Sequence, residues 1–185
     1  DNDLLHIPEL VVKQGEHLFI KGPSGSGKTT LLNLLTGVNQ PNSGSVTVLG
    51  APLEQLSNSQ RDQFRADHLG VIFQQFNLLP YLSLLENVQL PCGFSRRKKV
   101  NAGDIDTTAL RLLAQLNIPH SLLSQPVSKL SVGQQQRTAV ARALIHNPSL
   151  ILADEPTGNL DTKTGEEVLG LLQRLNKEQN ITLII

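Results

Sequence analysis

Residues 22–30 read GPSGSGKTT, a glycine-rich stretch closed by a lysine and two threonines. The spacing satisfies G-x-x-x-x-G-K-[ST], the pattern of a loop whose backbone N–H groups wrap around phosphate oxygens. Gly22, Gly25 and Gly27 permit the tight path, with Pro23, Ser24 and Ser26 between them. Lys28 is spaced to reach β- and γ-phosphates and the Thr29 hydroxyl to ligate Mg²⁺, and Pro23, Ser24, Ser26 and Thr30 complete the expected nucleotide-binding stretch. An apolar run, HLFI (17–20), precedes the loop, and LLNLL (31–35) follows it and ends before Gly37. A strand, a loop and a helix start in that order set the helix's partial positive charge against an anion, which a chance Gly/Ser turn would not do. This is the signature of a nucleotide site.

A second group sits far along the chain. SLILADEP (149–156) places Asp154 and Glu155 at the end of an apolar run, where α/β sheets bind ligands at the carboxyl ends of their strands. Asp154 is suited to the Mg²⁺ shell. Glu155, one residue on, is suited to orient and deprotonate a water attacking the γ-phosphate. Taken alone the pair would be a solvated turn; with the phosphate loop it points to ATP hydrolysis. Gln74, after LGVIF (69–73), could reach Mg²⁺ or that water, with the adjacent Gln75 as a rival.

KLSVGQQQR (129–137) reads as a second helix start able to face an anion. Ser131 followed by Gln134 resembles a capping box, and Gly133 lets the backbone approach a ligand. An ordinary capped helix is the plainer reading. Because the chain has one phosphate loop, an anion at this second start is explained by a two-fold dimer, each copy's Ser131 closing on the phosphate held by the other's Lys28.

The elements that must position these groups alternate between strand-like and helix-like patterns. EHLFI (16–20), SVTVL (45–49), LGVIF, LILA (150–153) and ITLII (181–185) read as strands, the last two apolar enough to be buried on both faces. SVTVL followed by Gly50 suggests a hairpin or small antiparallel side sheet. Ile105, Ala109, Leu112, Leu113 and Leu116 form one helical stripe, and a further helix spans about 132–146, stopping at Asn147-Pro148. The expected organisation is a core of 1–73 and 148–185 with a helical insertion over 74–147.

Charge is balanced, 16 Lys+Arg against 16 Asp+Glu, which gives no argument for a nucleic-acid partner. The one basic run, SRRKK (95–99), reads as a solvated loop. A single cysteine, Cys92, excludes an internal disulfide and a cysteine-based metal cluster. No apolar run approaches the roughly 18 residues that cross a bilayer, so a soluble protein of a reducing compartment is expected. Both ends read as cut, ITLII stopping in mid-strand.

With these motifs in hand, the chain resembles the nucleotide-binding domain of ABC transporters over nearly its whole length. Walker A corresponds to Gly22–Thr29, the Q-loop to Gln74, the signature to Leu130–Gln134, Walker B to Leu150–Asp154 with Glu155 as base, and the D-loop to GNLD (158–161), which brings in Asp161. VIFQQFNLLP, LLENVQLP and ILADEPTGNLD resemble the bacterial subgroup serving lipoprotein release, macrolide-type efflux and cell division. The resemblance implies an α/β fold with a P-loop NTPase (RecA-like) core, a small antiparallel β part and a helical subdomain. It implies ATP and Mg²⁺ as ligands and a head-to-tail dimer with ATP between Walker A and the opposing signature. The implied partner is a transmembrane permease docking beside 74–86, at the cytoplasmic face of the plasma membrane. It also puts an adenine-stacking aromatic before residue 1 and a switch histidine after Ile185, so weak hydrolysis by these 185 residues is expected. Val132 departs from the usual signature glycine. An ABC-type ATPase without a permease, or one that only gates a partner, are the alternatives.

Overall fold

The computed structural model describes residues 5–158 and 162–185. Four parallel strands, β1 (His17–Leu18), β4 (Leu69–Ile72), β5 (Leu150–Ala153) and β6 (Thr182–Ile184), form one sheet in the order β1-β6-β5-β4. The two most apolar runs, β5 and β6, are thus the central strands. Along β5, Leu150 and Leu152 face one apolar cluster while Ile151 and Ala153 face another. The period-2 alternation of a strand therefore fills both sides of the sheet.

Strands are shorter than their apolar runs suggest, because the runs include flanking residues that pair outside the regular ladder. Ile20 N–H, for instance, donates to Ile185 O at 2.6 Å beyond the end of β1. β2 (Thr47–Val48) and β3 (Ala51–Pro52) form the expected antiparallel hairpin. Its two-residue turn, Leu49-Gly50, has φ of 50° and 80°, the left-handed pair that matches strand twist.

Helix α1 (Lys28–Leu35) packs Leu32 into the cluster that holds Leu150 and Leu152. It ends where Gly37, at φ 68°, donates to Leu34 O and Val38 to Asn33 O, a Schellman close. α2 (Asn58–His68) precedes β4, and α3 (Leu84–Phe94), α4 (Arg96–Ala102), α5 (Ile105–Gln115) and α6 (Val132–Leu144) occupy most of the segment between Gln74 and Pro148. No regular strand interrupts that segment among the described residues. The stripe on α5 is buried at Ala109, Leu112 and Leu113, and continues to the buried Leu116. α7 (Thr162–Gln179) returns the chain to β6.

Helices α2, α3 and α4 are not evident from apolar spacing. α2 is mostly polar, α3 carries Pro91 inside it, and α4 is the basic run SRRKK expected as loop. The starts of α2 and α3 were nevertheless written in the chain: Ser57/Gln60 and Ser83/Glu86 are capping boxes of the same kind as Ser131/Gln134. One apolar cluster runs from Leu84 and Val88 of α3 through Val140 and Leu144 of α6 to Ile72 and Ile151 of the sheet. Burying each such side chain contributes about 1.5–3 kcal/mol, so the helical segment is tied to the strands that end at the site.

Candidate functional site

The loop after β1 carries Gly25 and Gly27 at φ 80° and 90°, a backbone that only glycine adopts without strain. A Cβ on Gly22 would stand 2.6 Å from Ser26 Oγ, and Ser26 N–H donates to Pro23 O at 3.2 Å. The loop therefore closes on itself. Gly27 is the N-cap of α1 and no side chain caps that helix, whereas α2, α3, α5 and α6 each have a capping side chain. The first N–H groups of α1 are consequently left for an external acceptor. Lys28 Nζ donates to Gly22 O at 2.8 Å and Pro23 O at 3.0 Å, holding the ammonium over the loop.

Two carboxylates stand beside this helix start. Thr29 Oγ1 donates to Asp154 Oδ2 at 3.0 Å, and Asp154 N–H is fixed to Ile72 O at 2.9 Å. A hydroxyl and a carboxylate oxygen in contact are the hard donors that Mg²⁺ takes, so the residues present fit the metal as well as the phosphate. Glu155 sits at φ 48°, which for a non-glycine residue costs about 1–3 kcal/mol and marks a position held by its surroundings. A cavity of about 70 Å³ lies between Lys28, Asp154 and Glu155, backed by Ile20, Leu32, Ala153 and Ile185. It is roomy enough for water beside both carboxylates.

Register brings the glutamine to the glutamate. In the parallel pair β4/β5, Ile72 stands opposite Ala153; Gln74 and Glu155 each lie two residues further on. Gln74 Nε2 donates to Glu155 Oε2 at 2.8 Å. Among the described residues no such bond links Gln75 to Glu155.

At the second helix start, Gln134 N–H donates to Ser131 Oγ at 3.3 Å and Ser131 N–H to Gln134 Oε1 at 2.9 Å. The box is the one α2 and α3 also use, so capping alone does not distinguish α6. Two features do. Gly133 occupies the second position, and the first, Val132, is 51% exposed. The Ser131 hydroxyl, accepting one bond, still has its proton to donate. No hydrogen bond among the described residues joins Ser131, Gly133 or Gln134 to the phosphate loop. Asp161 lies outside the described residues.

Two residues not singled out by the motifs organise the segment after Gln74. Asn87, fully buried in α3, donates to the carbonyls of Leu79, Leu82 and Ser83 and accepts from Leu79 N–H at 2.8 Å. Arg142 of α6 donates to Asn77 O at 2.6 Å and to Phe76 O, and burial pulls its pKa below the ordinary guanidinium value. The only sequence signal for either was a polar residue standing in an apolar stripe.

The profile of the family described as ABC transporter matches residues 5–158. The chain belongs to the ABC transporter family. This cassette is 43% identical over 176 residues to the uncharacterized ABC transporter ATP-binding protein MJ0796 of Methanocaldococcus jannaschii, covering 95% of this chain and 75% of that one. It is 46% identical to the macrolide export ATP-binding/permease protein MacB of Syntrophobacter fumaroxidans over 95% of this chain, which is 24% of that protein. A solved dimer of the MJ0796 cassette, described as a post-hydrolysis state bound to ADP and Pi, superposes with a TM-score of 0.85 at 40% identity, over 95% of this chain and 75% of that one. The ABC cassette is thus an ATP-binding subunit of the family, and the MJ0796 cassette it resembles has been solved as a dimer. Among its described residues no helix is long and apolar enough to cross a membrane.

Proposed function

We propose that this cassette hydrolyses Mg-ATP within a head-to-tail dimer of two copies and drives a membrane permease of the export or lipoprotein-release type. The observation that carries the reading is the meeting of an uncapped helix start with two carboxylates: Thr29 on Asp154 and Gln74 on Glu155. In this reading the backbone of 22–27 cradles the phosphates, with Lys28 on the β- and γ-oxygens. Thr29, Asp154 and Gln74 hold Mg²⁺, which when bound neutralises charge on the phosphate oxygens. Glu155 accepts a proton from water as its oxygen adds to the γ-phosphorus, and Gln74 orients that water; ADP departs with the bridging oxygen. Ser131, Gly133 and Gln134 of the second copy face the γ-phosphate across the interface. The helical part, 74–147, acts as a signature-bearing subdomain on a core of 1–73 and 148–185.

The macrolide-export relative favours an export-type permease, which would hold the cassette at the cytoplasmic face of the bacterial plasma membrane. The full-length Glu155→Gln protein in saturating Mg-ATP is expected to elute as a dimer, and Ser131→Arg to return it to a monomer. A Glu155→Gln protein that stays monomeric would overturn the sandwich. Capture of the same variant from detergent-solubilised membranes should bring down a membrane-spanning protein; recovery with ribosomes or DNA alone would overturn the permease assignment.

A further inference from the structure

Gln74 and Ser131 belong to opposite ends of the proposed reaction, one beside Glu155 and the other at the start of α6. Besides the packing of α6 on β4, a side chain of α6 reaches the segment that follows Gln74. Arg142 stands eleven residues after Ser131 on the same helix, about 16 Å along its axis, and its guanidinium bridges the carbonyls of Phe76 and Asn77. Those two residues hold φ of 59° and 49°. Successive left-handed residues other than glycine are strained, Phe76 more so because it is bulky and buried. Among the described residues no carboxylate forms an ion pair with Arg142. Its half-buried guanidinium is met by backbone oxygens, and a planar fork suits two neighbouring acceptors as an ammonium does not.

The bend so held begins two residues after Gln74, whose amide is on Glu155 at 2.8 Å. On the far side of the bend, Asn87 fixes residues 79–83 to α3. Between the two clamps the chain has little freedom to relax locally, so a displacement of α6 moves the bend and the bend moves Gln74.

We propose that Arg142 is the positioning residue of Gln74: it ties the approach of Gln74 to Glu155 to the placement of α6, and so makes turnover depend on how the Ser131 end of that helix is docked. The inference rests on the ATPase reading above and adds the route by which docking at Ser131 reaches the hydrolytic pair.

The test is a double-mutant cycle in the full-length protein, measuring kcat and KM for Mg-ATP and, separately, nucleotide affinity by fluorescence. Arg142→Gln is expected to lower kcat by about tenfold or more, a misplacement effect, with affinity unchanged. In a Gln74→Ala background the same substitution should change kcat less than about twofold, since its effect runs through Gln74. Arg142→Lys keeps the charge without the fork and should show a smaller loss that also vanishes with Gln74→Ala. It serves as the readout if Arg142→Gln does not fold. Equal losses in both backgrounds, a loss of affinity with kcat intact, or a lysine variant as fast as wild type would overturn the positioning role while leaving the ATPase reading in place. A wild-type protein without Mg-ATP turnover would overturn both.

Discussion

The amide of Gln74 donates to the carboxylate of Glu155 at 2.8 Å across 81 residues of sequence. Neighbouring parallel strands deliver the two residues to the same level. The bond orients the carboxylate without neutralising it, because the donor is an uncharged amide.

Replacing Glu155 by Gln should therefore remove the base and keep the shape. Steady-state turnover is expected to fall by about 10²–10⁴-fold, while nucleotide binding, followed by fluorescence of a labelled ATP, stays within a few-fold of wild type. Loss of binding in parallel with turnover would show that Glu155 holds the ligand instead.

The Thr29–Asp154 contact separates two variants at one position. Thr29→Ser retains the hydroxyl and should bind Mg-ATP nearly as wild type does. Thr29→Val keeps the volume but loses the ligand oxygen, so the gain in ATP affinity on adding Mg²⁺ over EDTA should shrink. Equal Mg²⁺ dependence in both variants would remove Thr29 from the metal shell.

Ser131 has two roles that substitution can divide. Ser131→Ala deletes the cap and should cost about 1 kcal/mol in urea unfolding. Ser131→Asp keeps a good cap and places a negative charge where the proposed phosphate sits. It should match wild type in stability yet fail to dimerise as a Glu155→Gln, Mg-ATP sample. Dimerisation intact with Asp at 131 would mean the cap alone matters.

Gly37 closes α1 at φ 68°, and a Cβ there would stand 3.2 Å from Arg61 Cδ. Gly37→Ala should destabilise the fold by about 1–2 kcal/mol, read as a lower urea midpoint with an unchanged slope. A midpoint equal to wild type would show that the turn relaxes freely.

Acid should loosen the protein before its carboxylates titrate. Burial pushes the His17 imidazole below its ordinary pKa, and His17 Nε2 has no hydrogen-bond partner among the described residues. The folded state then binds fewer protons than the unfolded one. Its stability is complete above the ordinary value of about 6.5 and is lost as pH falls from there through the folded pKa. His68 shifts the same way, first through burial and then through the Arg97 charge, with Asp67 opposing. Urea midpoints should fall between about pH 7.5 and 5.5, and less so in His17→Asn. A flat profile would count against the burial effect.

The sequence by itself determined the glycine turn that leads into α1, the strand end that carries Asp154 and Glu155, and the capped start at Ser131. Each depends on neighbours within a few residues: glycines that free a backbone, an apolar strand that ends at a carboxylate, a serine three residues before a glutamine. It also determined that β5 and β6 would be central, because continuous apolarity has to be covered on both faces. The polar helix α2 and the proline-containing α3 escaped the apolar pattern, although their capping boxes are as legible as that of α6. What only the tertiary structure decided are the meetings between distant segments. That Gln74 rather than Gln75 reaches Glu155 follows from the Ile72–Ala153 register, which strand pairing sets and spacing does not. That Arg142 meets the carbonyls of Phe76 and Asn77, both in left-handed backbone, follows from packing α6 against β4, which sets its half-buried guanidinium beside those two oxygens. Local chemistry is written along the chain; which carbonyl or carboxylate a side chain finally meets is fixed by the burial of residues far from both.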